Sequence, residues 1–287
     1  MRLTEQQRKA KSQAKSYFFS NPVAMASAMN VVGAKAGAAV GARPNIVGVG
    51  IGPKVINGAI VADEAVRILV RVKIPKAQLG RDETVPAEFN KLPTDVVEVG
   101  EVRAFQTLRT WQRFGRQRPT SCGVSVGHPK ITAGTLGCLV ERGGDHYILS
   151  NNHVLADCNQ ANTGDDIIQP GALDGGSAPS DNIAVLSDYE PLDFSGNDNE
   201  IDAAIALVGP DTQTDVEPEI IDIGRPQRTT KPVALYQSVR KHGRTTGHTV
   251  GVVLTISTDL WVNYGVGQNA WFVDQDWDHG RRLQRFF

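Results

Sequence analysis

Cysteine, net charge and long apolar runs are all scarce in this sequence, and each shortage excludes a class of protein. Three cysteines, Cys122, Cys138 and Cys158, occur without C-x-x-C spacing, so the pattern predicts neither a disulfide framework nor a zinc site. A formal net charge of −1 gives no overall electrostatic argument for nucleic-acid binding. No apolar stretch approaches the roughly 20 residues that a membrane-spanning helix needs. We therefore expect no metal, no cofactor, no nucleic-acid partner and no membrane span.

The cysteines and the first residues also bear on the compartment. Cys138 and Cys158 flank His153, so an oxidising compartment would allow a local disulfide, whereas free buried thiols are the alternative that we favour. No secretory signal is recognised, because residues 1–19 are charged and the Ala/Gly-rich stretch behind them is interrupted by Asn, Lys and Gly. A cytoplasmic location is the default expectation.

What the sequence does contain is β-forming residues and turns, which follow a basic beginning. Its many Gly, Val and Thr residues favour β structure over a helical bundle. Residues 1–42 predict a basic helical and flexible segment, in which five basic residues stand against Glu5 before residue 20 and Thr4 is the N-cap. We expect a solvated helix there, and docking to an acidic partner is the alternative.

Residues 43–105 predict a small α+β domain. Residues 46–51 are typical of a strand that enters a glycine turn, and residues 66–74 alternate apolar and polar positions with the period of a strand. Residues 86–89 predict a short helical turn.

The glycines of this segment raise the alternative of a phosphate-binding loop. The run Gly48-x-Gly50-x-Gly52-x-Lys54 lacks the Gly-Lys-Ser/Thr ending of such a loop, and no dinucleotide fingerprint follows it. We interpret it as a glycine-rich hairpin turn and rank a nucleotide enzyme last among the functions considered.

The rest of the chain divides at an Arg-rich stretch. Residues 106–121 hold four arginines with Trp111 and Phe114 and no acid, and we interpret them as an interdomain linker rather than a nucleic-acid contact. Residues 122–287 consist of short apolar segments between Gly, Pro and Asp turns, which predicts an antiparallel barrel or sandwich.

Two residues in this last part are candidates for chemistry. His153 follows a short apolar run and a small polar turn, where an imidazole at the end of a strand can act as a base. Asp202 lies next to the small apolar run 203–205, where a buried acid requires a partner. An imidazole N–H is such a partner, and an acid facing water at a strand edge is the plain alternative.

Four motifs in this order resemble those of a known family. They are Gly-Thr-Leu-Gly-Cys-Leu-Val (134–140), Leu-Ser-Asn-Asn-His-Val-Leu-Ala (149–156), Asp-Ala-Ala-Ile-Ala (202–206) and Lys-His-Gly-Arg-Thr-Thr-Gly-His-Thr-Val-Gly (241–251). The chain resembles, over about residues 120–275, the trypsin/chymotrypsin-like serine peptidases, especially bacterial members with an extra N-terminal α+β domain. The resemblance implies a mostly β fold of two barrels after a small α+β domain, with His153 as general base and Asp202 as its orienting partner.

The serine of the family's Gly-Asp-Ser-Gly motif is missing, because no serine follows Ser257. We therefore expect a truncated peptidase domain at 122–287, an incomplete second barrel, and disorder or aggregation after about residue 230. The Arg-rich tail after Gln275 is predicted to be strandless. With suitably chosen codons it reads Gly-Asp-Ser in another frame, which motivates the hypothesis of a frameshift at this point.

The resemblance implies a serine endopeptidase by lineage that is inactive as this chain stands. A non-catalytic binding or scaffold protein with a peptidase-like shell is the alternative. A protein or peptide substrate is expected only for a form that carries the serine. Relatives are often secreted, which stands against the cytoplasmic default.

Overall fold

The computed structural model describes residues 3–20, 45–79, 84–100, 102, 113–209, 216–227, 229–265 and 267–278. The chain is mostly β, as the sequence predicts, and its described helices are α1 (Glu5–Phe18) and α2 (Asn152–Leu155), with 3₁₀ turns at Lys76–Gln78 and Ala172–Asp174. The strands in chain order are β1 (Ile46–Ile56), β2 (Ala59–Val70), β3 (Glu88–Phe89), β4 (Leu92–Glu98), β5 (Thr120–Cys122), β6 (Ser125–Val126), β7 (Gly134–Thr135), β8 (Cys138–Arg142), β9 (Asp145–Ser150), β10 (Asp166–Ile168), β11 (Asn182–Tyr189), β12 (Asp198–Asn199), β13 (Ala204–Leu207), β14 (Val216–Ile220), β15 (Ser238–Gly243), β16 (Gly247–Gly265) and β17 (Gln268–Asp278). In the described ranges no helix combines the length and apolar character needed to cross a bilayer.

A five-stranded antiparallel sheet leads the chain to His153. Its order is β10-β11-β13-β9-β8. Ser150 at the end of β9 pairs with Ala204 at the start of β13. Alternate residues of these strands, among them Ile148 and Ile183, are fully buried in one apolar core. The end of β9 and the start of β13 therefore lie side by side.

An eight-stranded sheet crosses the domain boundaries that the sequence predicts. Its order is β12-β17-β16-β1-β2-β4-β3, with β15 paired to β16. Gly48 of β1 lies opposite Leu260 of β16, and Ile51, Ile256 and Trp271 share one buried core. Residues 43–105 thus share a sheet with strands of the segment 122–287. The division into units at 43–105, 106–121 and 122–287 stays a prediction, and residues 106–112 lie outside the described residues.

Two local predictions for the 43–105 segment are wrong. Gly48, Gly50 and Gly52 lie within β1 rather than in a turn, and the turn of the β1–β2 hairpin is at Asn57 and Gly58, both with positive φ. The glycines are required because a Cβ on Gly52 would lie 2.2 Å from the Leu254 carbonyl oxygen of β16. Residues 88–89 form β3 instead of a helical turn, since they pair with β4.

The prediction of a solvated N-terminal helix is also wrong on one face of α1. Thr4 caps the helix through a capping box, as its sequence predicts. Ala10 and Ala14 are fully buried, and Phe18 packs in the core of the large sheet. The spacing of four residues places all three on one face of the helix.

The end of the described chain is ordered β structure. β17 pairs antiparallel with β16 and continues to Asp278, three residues beyond Gln275. The prediction of a strandless tail is therefore wrong for residues 276–278, and that of disorder after about residue 230 is wrong for β15, β16 and β17. Residues 279–287 lie outside the described residues.

Candidate active site

The two predicted site residues meet where neighbouring strands β9 and β13 leave their sheet. His153 lies in α2, which begins two residues after the end of β9. Asp202 lies two residues before β13. Because Ser150 is paired with Ala204, the short segments that carry the two side chains are adjacent. The Asn151 side-chain amide donates to the Asp202 carbonyl oxygen at 2.8 Å, which joins these segments directly.

The His153 imidazole and the Asp202 carboxylate form a short hydrogen bond. His153 Nδ1 lies 2.7 Å from Asp202 Oδ2, and the His153 backbone N–H donates to Asp202 Oδ1 at 3.3 Å. The aspartate side chain is 1% exposed, whereas the histidine side chain is 20% exposed. The plain alternative of an edge-strand acid facing water is therefore wrong for Asp202.

This contact determines which imidazole nitrogen can accept a proton. An ionised carboxylate only accepts hydrogen bonds, so Nδ1 carries the hydrogen and Nε2 of the neutral ring carries the lone pair. Among the described residues the imidazole hydrogen-bonds to Asp202 and to no hydroxyl or thiol. In this geometry Nε2 of the imidazole can accept a proton, and the carboxylate can orient the ring.

Tyr264 is a further member of the site that sequence reasoning missed. Its hydroxyl donates to Asp202 Oδ2 at 2.8 Å, and its ring makes an edge contact with the His153 ring at a centroid distance of 5.7 Å. Tyr264 lies near the end of β16, after an apolar run and before Gly265. No motif marks it, because its proximity to Asp202 arises from the packing of strands far apart in sequence.

Asn152 and Asn159 fix the helix that carries His153. The Asn152 side-chain amide donates to Asn159 Oδ1 and to the Glu190 carbonyl oxygen, both at 2.7 Å. In return the Asn159 backbone N–H donates to Asn152 Oδ1 at 3.1 Å. Asn152 is fully buried. In the sequence, the two asparagines directly before His153, Asn151 and Asn152, were the available signal. The sequence does not show which hydrogen-bond partner each of them takes.

The three cysteines are free, as in the alternative favoured over a Cys138–Cys158 disulfide. The burial expected with it is complete only for Cys122, since Cys138 and Cys158 are partly exposed. Burial, with the negative charges of Asp202 and Asp157 as further causes, raises the pKa of the Cys158 thiol from 9.0 to about 12. Burial is also the largest cause that raises the pKa of Cys122 to about 12. Since a thiolate is the reactive form of cysteine, Cys158 is not prepared to act as a nucleophile beside the dyad.

Two further histidines, His128 and His242, take structural partners. His128 Nε2 lies 3.3 Å from Asp165 Oδ2, and the Lys130 backbone N–H donates to His128 Nδ1. His242 Nδ1 donates to the Gly123 carbonyl oxygen at 3.0 Å, and burial lowers the pKa of His242. Within the described ranges no group of three or more His, Cys, Asp or Glu side chains is arranged to hold a metal ion.

The Gly-Arg-Thr-Thr-Gly stretch contributes a buried ion pair. Arg244 Nε and Nη2 lie 2.5 and 2.7 Å from the two carboxylate oxygens of Asp174. Asp174 also accepts from the Ser125 hydroxyl, and the Arg244 guanidinium lies 4.7 Å from the Phe114 ring centroid. This stretch therefore joins the hairpin of β15 and β16 to the loop after β10.

The last serine of the chain does not contact His153. Ser257 Oγ accepts from Lys11 Nζ at 2.9 Å and donates to Asp274 Oδ1, at the place where α1 docks on the large sheet. The described residues thus place no serine at Nε2 of His153.

Comparisons with known proteins give a coarse likeness in fold. No protein-family model matches the chain, and no curated protein matches it significantly. One solved structure is that of a glutamic acid specific serine protease that uses a histidine triad in substrate binding. Its TM-score is 0.37, and it is 16% identical over 55% of this chain and 72% of that chain. Protease A of Thermobifida fusca has a TM-score of 0.37 and 15% identity over 58% of this chain and 76% of that chain.

Proposed function

We propose that this chain belongs by lineage to the serine endopeptidases and keeps the base and the orienting acid of their triad. The observation that carries the proposal is the 2.7 Å contact between His153 Nδ1 and the buried Asp202 carboxylate. Burial of a carboxylate is costly unless donors compensate it, so a shell without chemistry has no physical need for this residue.

In the proposed mechanism the His153 imidazole accepts a proton in one step and donates it in a later step. Nε2 of His153 takes the proton of a serine hydroxyl as its oxygen attacks the peptide carbonyl carbon, and later gives it to the leaving amine. Asp202 remains ionised, holds the Nδ1–H tautomer and stabilises the imidazolium that forms. Since the described residues provide no hydroxyl at Nε2, we propose that the 287-residue chain itself does not hydrolyse peptide bonds.

The first experiment measures hydrolysis by the chain as it stands. Purified protein is incubated with peptide and ester substrates beside His153→Ala and, as a matched control, His146→Ala, which removes an exposed histidine of a hairpin. We expect the same background rate for all three proteins. If the chain hydrolyses a substrate, and His153→Ala abolishes this activity while His146→Ala does not, the proposal that the chain is inactive is wrong.

The second experiment tests the lineage and the frameshift hypothesis together. The gene is read across residues 270–287 and beyond, and a Gly-Asp-Ser motif found in another frame is restored in the protein. The restored protein should hydrolyse peptides, and alanine at His153 or Asp202 should each lower kcat/KM by about 10⁴-fold or more. No such motif in any frame would refute the frameshift. A folded restored protein without activity would instead support the binding or scaffold alternative.

A further inference from the structure

Tyr264 provides a hydrogen bond to the acid of the dyad from the other main sheet of the molecule. We propose that Tyr264 is a positioning residue, whose hydroxyl fixes the Asp202 carboxylate in the orientation that holds the His153 imidazole. This inference rests on the function proposed above and adds a third residue to the same site.

The contacts of Asp202 give the hydroxyl a defined task. Oδ1 accepts the His153 backbone N–H at 3.3 Å, and Oδ2 accepts His153 Nδ1–H at 2.7 Å and the Tyr264 hydroxyl at 2.8 Å. An ionised carboxylate only accepts hydrogen bonds, so in that state each of these groups donates to Asp202. Hydrogen bonds to an ionised acceptor are short and strong, and they compensate the burial of this charge.

The Tyr264 ring is held so that its hydroxyl has a fixed direction. It makes edge contacts with His153 and Phe194 at centroid distances of 5.7 and 5.5 Å, and it stacks on Phe272 at 6.4 Å with an interplanar angle of 25°. Phe272 is fully buried. Because three rings contact that of Tyr264, the phenol oxygen is directed at Oδ2 by packing as well as by the hydrogen bond.

The hydrogen bond from Tyr264 to Asp202 connects the two main sheets of the molecule. His153 and Asp202 follow and precede strands of the five-stranded sheet, whereas Tyr264 belongs to β16 of the eight-stranded sheet. Asp202 Oδ2 therefore accepts from one group of each sheet region, the His153 imidazole and the Tyr264 hydroxyl. Without it, the carboxylate gains freedom to turn about its Cβ–Cγ bond, and the His153 hydrogen bond loses its fixed geometry.

The experiment uses Tyr264→Phe, which removes the hydroxyl and retains the ring, in the complete 287-residue chain. The readout is the Nδ1–H proton of His153 in ¹⁵N-edited NMR, its resonance position and its rate of exchange with water. We expect this resonance to shift and the exchange to become faster by about two- to tenfold, the range that corresponds to one net hydrogen bond. An unchanged position and exchange rate in Tyr264→Phe would overturn the proposal.

Two companion variants separate this proposal from the function it rests on. Tyr17→Phe removes the hydroxyl of an exposed tyrosine on α1 and should leave the His153 resonance unchanged. Asp202→Asn should abolish the native signal. If Asp202→Asn changes the signal and Tyr264→Phe does not, only the role of Tyr264 is refuted. If the native protein lacks a protected Nδ1–H resonance, the dyad and the proposed function fail together.

Discussion

Asp202 shows at the scale of single residues how a buried charge is made tolerable. Its carboxylate is 1% exposed and receives hydrogen bonds from the histidine side chain, the histidine backbone and Tyr264. Its own carbonyl oxygen is held by Asn151. Since these donors come from separate segments of the chain, the orientation of the acid depends on the folded structure rather than on its immediate neighbours.

The cysteines provide the pH-dependent prediction at this scale. Burial raises the pKa of Cys122 and Cys158 from 9.0 to about 12, and it raises that of Cys138 as well. A raised folded-state pKa contributes stability that is fully present below about pH 9 and is lost as pH rises towards 12. We expect the free energy of unfolding in urea to fall over this interval, and native thiols to react slowly with a disulfide reagent at pH 8.

The control for the thiol prediction is the urea-unfolded protein, in which all three thiols have their ordinary pKa and should react rapidly. Replacing Cys158 by Ala should remove its part of the decrease in stability above pH 9. Rapid labelling of Cys158 in the native protein at pH 8 would contradict the assignment of an inert thiol beside the dyad.

At the scale of elements, α1 is attached to the large sheet by both apolar and charged contacts. Lys11 Nζ lies 2.8 Å from Asp259 Oδ1, and Lys15 Nζ lies 3.3 Å from Asp259 Oδ2. The aspartate side chain is only 4% exposed. The acid that this basic helix contacts therefore belongs to β16 of the same chain. The alternative of a separate acidic partner for the helix stays a prediction.

Lys11→Met tests the charged part of this attachment. The change leaves the buried Asp259 with one lysine fewer, and we expect a loss of about 1.5–3 kcal/mol in the free energy of unfolding, the range for a hydrogen bond to a charged group. Lys9→Met is the matched control, since Lys9 pairs with Glu5 on the exposed face and should change stability by less than about 1 kcal/mol. Equal effects of the two changes in urea unfolding would refute the buried contact.

At the scale of the whole molecule, the two ends of the described chain are built into one sheet. β1 and β2 come from the first 70 residues and pair with each other, and β1 also pairs with β16. The buried Arg67 of β2 donates to the Leu254 carbonyl oxygen of β16 at 2.9 Å. Strand pairing and a buried polar contact therefore connect segments that are about 200 residues apart in sequence.

Asp174→Ala tests a second connection of this kind, between the loop after β10 and the hairpin of β15 and β16. The side chains of Arg244 and Asp174 are 2% and 3% exposed, so removal of the acid leaves a buried guanidinium without its carboxylate partner and should cost about 3–5 kcal/mol. Asp188→Ala removes the acid of an exposed pair with Arg142 and should cost less than about 1 kcal/mol. A similarly small effect of Asp174→Ala on thermal or urea unfolding would refute the role of the buried pair.

The sequence by itself determined the features that depend on neighbouring residues. The Thr4 cap and the β class of the chain follow from local propensities and short patterns. The choice of His153 and Asp202 as catalytic residues rests on motifs of a few residues and stays a prediction. The prediction from sequence was wrong where a long-range contact overrides a local pattern. The sequence predicts a turn at the glycines of β1, yet they lie within a strand, where an added Cβ would lie only 2.2 to 2.7 Å from an atom of β16.

Only the tertiary structure decided which distant groups complete the site and the fold. Asp259 lies opposite Lys11, Arg244 opposite Asp174, and Tyr264 beside Asp202, and in each case more than 60 residues of chain separate the partners. Sequence periodicity shows which face of an element is apolar, but it does not show which face of another element will cover it. Strand pairing and burial make that choice, because only the folded chain brings a buried charge to its donors.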